Sequence, residues 1–101
     1  MPHWLHCKVL PGQFSNEFVV EGQSASGEGF SLFCPEEFVE FENEPSFERP
    51  ADGWIQVQIV ETAKGVRLVC LPRHTFGGGP YVTVRADAVE RRPARQNAEL
   101  T

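Results

Sequence analysis

At 101 residues, with 41% hydrophobic and 11% aromatic content, the chain has material for one domain with a single core, so neither a structural metal nor disulfides are needed for it to fold. No run approaches the roughly 18 apolar residues of a membrane span, and the opening MPHWLHCKV lacks the basic end and apolar middle of a secretory signal, which leads us to expect a cytoplasmic protein. The net charge of -5 argues against generic nucleic-acid binding, whose affinity comes from neutralising phosphates.

In chain order, WLHCKVL predicts a first strand with Trp4, His6, Lys8 and Leu10 opposite Leu5, Cys7 and Val9, ended by Pro11-Gly12. EFVVEG and GFSLFC predict two short strands joined by the flexible loop GQSASGEG. PEEFVEF opens with proline and two carboxylates, which suits one turn of helix or 3-10 structure before a short extended run from Val39 to Glu42. ENEPSFERPADG has two prolines and no apolar period, and reads as a connecting loop.

WIQVQIVET alternates, with Ile55, Val57 and Ile59 opposite Gln56 and Gln58, and Lys64-Gly65 turns it into a second strand from Val66. Alternation places Val66, Leu68 and Cys70 inward and Arg67 outward. PYVTVRADAVE closes the series, with Val82 and Val84 on one face and Tyr81 and Thr83 on the other. Five or six short strands and at most one helical turn point to an all-β chain folded as a small antiparallel barrel, SH3-like or OB-like. Residues 1–90 form the expected domain and 91–101 a mobile tail.

RHTFGGGPYVTVR tests for a phosphate cradle and fails. Pro80 donates no N–H, a strand follows rather than a helix, and neither phosphate-binding glycine spacing is present, so the glycines are read as a turn. His3, His6, Cys7, Cys34, Cys70 and His74 are suitable zinc ligands, but they lack paired short spacings, so no metal and no cofactor are expected. The three cysteines read as reduced packing groups. Cys70 and His74 offer the best approach to a nucleophile, weakened by the inward placement of Cys70 and by the intervening Pro72.

Charge is unevenly distributed. Residues 1–61 hold eleven acidic side chains against Lys8 and Arg49, whereas residues 62–101 hold seven basic against Asp87, Glu90 and Glu99. With no catalytic constellation, the expectation is a non-enzymatic module that binds a protein or peptide. Its candidate contact residues are Phe38, Glu40, Phe41, Glu42 and Phe47 in the acidic segment, with Arg73, His74, Phe76 and Tyr81 around the glycines. The alternative is single-stranded nucleic acid, held by Arg67, Arg73, Arg85, Arg91 and Arg92 with Phe76 or Tyr81 as a stacking platform. An enzyme built on Cys70 and His74 ranks third.

Overall fold

The structure, a computed structural model, describes residues 2–46 and 48–91. Eight strands run in one strongly curled antiparallel sheet: β1 (His3–Pro11), β2 (Glu17–Gln23), β3 (Gly29–Pro35), β4 (Val39–Phe41), β5 (Ala51–Ala63), β6 (Val66–Cys70), β7 (Tyr81–Arg85) and β8 (Val89–Arg91). The main path is β3-β2-β1-β5-β6-β7, with β4 added to β5 and β8 added to β1. This is the small all-β barrel expected from the alternating segments. β4, the short extended run expected from Val39, and β8, not expected as a separate strand, are three residues each and are delivered by single 3-10 turns at Glu36–Phe38 and Ala86–Ala88. Pro35 sets the extended backbone that enters the first turn, and Arg85 adopts nearly the same geometry at the second.

The two halves of the chain repeat one plan with an offset of 50 residues. Leu5 pairs with Val89 and Ile55 with Val39; Trp4 pairs with Glu90 and Trp54 with Glu40. The β1–β5 register maps onto itself under the same offset, since Trp4 opposite Gln56 corresponds to Trp54 opposite His6, and Leu5 faces Ile55 at the centre. A pseudo-twofold axis therefore passes through the Leu5–Ile55 pair. Inward positions agree in character: Leu5, Cys7, Val9, Cys34 and Val39 lie in the core, as do Ile55, Val57, Ile59, Val84 and Val89 or their flanks. Trp4 and Trp54 are both buried on the opposite face.

β6 faces the reverse of the alternation-based expectation. Val69 and Leu71 lie in the core, whereas Val66, Leu68 and Cys70 are half-buried on the other face, and Arg67 shares the core face through its pairing with Val84. The cause is a β-bulge between Ile59 and Glu61: Val60 is extra, so Ile59 pairs with Val69 instead of Cys70. The Lys64-Gly65 turn is as read, with Gly65 at φ 78°.

The loop between β2 and β3 is organised by its own hydrogen bonds. Ser24 N–H donates to Glu28 O, Gly27 N–H and Glu28 N–H donate to Ser24 O and Oγ, and Gly27 sits at φ 93°. Ala25 N–H then donates to Thr83 O of β7, and Phe76 N–H donates to Ser31 O of β3, both at 2.8 Å. These two bonds tie the β2–β3 loop to the free edge of β7 and the β6–β7 loop to the free edge of β3, which limits the exposure of both edges.

Candidate functional site

The edge of β1 changes partner midway. It pairs with β8 as far as Leu5 and with β2 from Lys8 onward, leaving His6 and Cys7 without a strand partner on that edge among the described residues. β5 shows the same two-residue interruption at Gln56 and Val57, between β4 and β6. Each interruption is a seam through which the core meets the surface. What fills the two seams differs.

Extending the registers places Leu71 and Phe38 beside the β5 seam, where Leu71 is buried and Phe38 packs on the core. The equivalent positions beside β1 carry Gly22 and Ala88. The small residues leave an open cleft of about 710 Å³, floored by Cys7, Gly22, Phe30 and Ala88 and rimmed by His6, Lys8, Glu21, Ser31 and Arg85. The tip of the Phe30 ring crowds the glycine, where a Cβ at position 22 would sit 2.6 Å from Cζ.

The rim charges are largely matched. Lys8 Nζ lies 2.7 Å from Asp52 Oδ1, and His6 Nε2 lies 3.5 Å from the same oxygen. The Lys8 hydrogen bond holds the Asp52 carboxyl below its ordinary range. The His6 ring meets Trp54 edge-on at 5.0 Å, which fixes one wall. Arg85 forks onto Asp87 at 2.7 and 3.2 Å. A cleft with an apolar floor, whose rim cations are already engaged by carboxylates, suits a neutral apolar group.

Beside the cleft, on the outer face of the sheet, lies an apolar strip. Register aligns Leu10 with Val19 and Val19 with Phe33, one cross-strand row beyond Lys8, Glu21 and Ser31, about 7 Å along the strands. Phe76 extends the row with its ring centroid 4.8 Å from that of Phe33. Phe33 and Phe76 remain 40% and 57% exposed. The hydrogen bond from Phe76 N–H to Ser31 O anchors the second ring to the strand that carries the first.

Of the residues expected from sequence to make contacts, the structure splits one group from the other. Phe38 and Phe41 pack against the core, Phe41 edge-on to Phe18 at 5.3 Å, and Arg73 lies over the Phe38 ring at 5.8 Å. Glu40 stands opposite Trp54 on β5, and Glu42 is exposed just past β4. Phe47 lies outside the described residues. Phe76, His74 and Tyr81 are exposed, and only Phe76 joins the strip. Leu10, Val19 and Phe33, with the small residues of the cleft, escape a reading based on composition. Their signal is positional, because each is the outward member of an aligned cross-strand set.

No known protein family, curated protein or solved structure matches this chain. Chemistry at the remaining candidates must follow from their own surroundings. Burial raises the thiol of Cys34 to about 12 and that of Cys7 further, and their S–H groups point at the carbonyls of Pro35 and Gly53. Cys70, placed inward by alternation, is instead half-buried on the outer face between Gln58 and Tyr81. Its S–H donates to Leu71 O, and no hydrogen bond joins it to His74 among the described residues. The glycine loop is closed by Thr75 N–H and Oγ1 onto Gly79 O and by Gly78 N–H onto Thr75 O. With Phe76 N–H given to Ser31, those amides are committed within the protein and do not converge on an anion.

Proposed function

We propose that this chain is a non-enzymatic, cytoplasmic interaction module that uses an SH3-like or OB-like barrel to grip an apolar segment of a protein partner. The observation that carries this reading is the Phe33–Phe76 pair, two aromatic rings held in contact on the surface by a backbone hydrogen bond. Rigid, exposed aromatics are common anchors of protein interfaces, because they bury large areas at little cost in side-chain freedom. The adjoining cleft supplies a socket for a second anchor. Its filled counterpart shows what such a seam accommodates, namely a leucyl and a phenyl side chain from Leu71 and Phe38. An extended peptide with two apolar side chains about 7 Å apart, one pair of residues along a strand, would engage the strip and the cleft together.

The nucleic-acid alternative has weaker support. The Arg85 guanidinium is paired with Asp87, and Arg67 turns to the core face instead of joining Phe76 on the outside. A displayed random-peptide library selected on the folded protein tests the proposal. Recovered peptides should share two apolar residues at i and i+2, and should lose at least about tenfold in affinity for a Phe33→Ser/Phe76→Ser variant. Absence of enrichment, or equal binding to a folded double variant, removes the reading.

A further inference from the structure

The pseudo-twofold axis also relates the two mouths of the barrel, and they have opposite chemistry. At one mouth Phe18 and Phe41 meet edge-on beside Glu36 and Glu37. The equivalent positions at the other mouth are Arg67 and Arg91, joined by His3. These three side chains share the core-facing side of their strands: His3 pairs with both Val57 and Arg91, and Arg67 pairs with Thr62 and Val84. They line a recess of about 280 Å³ with Thr62, Ile59 and Val89.

Two properties distinguish the recess from an ordinary basic surface. First, no acidic side chain lines it among the described residues. Of the carboxylates adjacent in sequence to its lining residues, Glu61 and Glu90 pair with Leu68 and Trp4 on the opposite face, and Asp87 is engaged by Arg85. Second, Arg67 is partly buried and pre-oriented: its Nη1 donates to Ala63 O at 3.2 Å and Val66 O at 2.9 Å, leaving Nε and Nη2 uncommitted among the described residues. Two guanidinium groups at one mouth, with no lining carboxylate among the described residues, give the recess a positive potential that attracts an anion. The Thr62 hydroxyl adds a neutral donor, and the volume falls below the usual range for whole small-molecule pockets.

We propose that this recess is an oxyanion site that takes one phosphoryl group, free or carried on a small monoester. The planar fork of Arg67 meets two phosphoryl oxygens, Arg91 closes from β8, and His3 and Thr62 contribute further donors. The site is independent of the apolar strip. The two proposals therefore fail separately.

Titration of the full chain with inorganic phosphate, and in a second arm with glycerol 3-phosphate, tests it by heteronuclear NMR at ionic strength held constant with chloride. Saturable shifts are expected at the amides of Thr62, Arg67, Ala86 and Arg91. Arg67→Gln and Arg91→Gln should each weaken binding at least about tenfold. Arg49→Gln removes the same charge from an exposed loop and should leave affinity unchanged. If Arg67→Gln does not fold, the exposed Arg91→Gln carries the test. Tighter binding of the monoester assigns the site to a phosphorylated metabolite, and equal binding assigns it to phosphate itself. Shifts that do not saturate in either arm, or an equal loss for Arg49→Gln, would overturn the proposal.

Discussion

The two seams of the barrel share a backbone plan and differ in side-chain volume. Beside β5 the gap is filled from within by Leu71 and Phe38; beside β1 the corresponding Gly22 and Ala88 leave it open. A filled seam contributes stability, whereas an open one forgoes that burial and gains a place where another molecule can supply the missing atoms. The contrast separates structural positions from candidate recognition positions without any comparison between proteins. It also explains why Phe38, an attractive contact residue by composition, is half-buried against the core.

The largest expected effect comes from emptying the filled seam. Leu71→Ala should lower unfolding free energy by about 2–4 kcal/mol in urea denaturation, the usual cost of a core cavity. The second effect is alkaline. Burial keeps Cys7 and Cys34 protonated in the folded state, so their folded pKa values are raised above the unfolded ones. Their contribution is complete below the ordinary thiol value of 9.0 and is lost as pH climbs toward about 12 for Cys34. Replacing both by valine, the residue at the corresponding positions 57 and 84, should flatten the alkaline limb while costing less than about 1.5 kcal/mol at neutral pH. An unchanged alkaline limb would show that the thiols are not the groups responsible.

Filling the open seam should matter less. Ala88→Phe, which copies Phe38, should shift stability by no more than about 1 kcal/mol while reducing binding of the selected peptides. A loss equal to that of Leu71→Ala would break the equivalence of the seams. Smallest of all is Gly77→Ala, with an expected change within about 0.5 kcal/mol by thermal unfolding. Neither a positive φ nor a close neighbour requires glycine there.

Much of the strand content was legible because β1, β5 and β7 alternate over five or more residues, and because Lys64-Gly65 and Pro35-Glu36-Glu37 carry specific local geometry. The orientation of β6 was not. The bulged residue Val60 is itself apolar, so the interruption left the pattern looking continuous. The three-residue β8, set off from β7 by a second 3-10 turn, is too short to display a period of its own. The site was less legible than the fold. Whether Phe33 is buried depends on what covers the outer face, and its contact with Phe76 spans 43 positions of sequence. The paired motifs Trp4-Leu5-His6-Cys7 and Trp54-Ile55-Gln56-Val57, followed by Val39-Glu40 and Val89-Glu90, were the available clue to two equivalent halves.

Each half of the chain ends by lending its last strand to the other: β4 leaves to border β5, and β8 returns to border β1. Neither half can therefore complete its own sheet. The β1–β5 ladder that joins the halves spans 42 to 54 residues and the β1–β8 pairing 84 to 88, which favours slow, all-or-none assembly over independent folding of two pieces. A single cut in the connection between Phe41 and Ala51 should accordingly leave two interlocked fragments that separate only when the whole barrel unfolds.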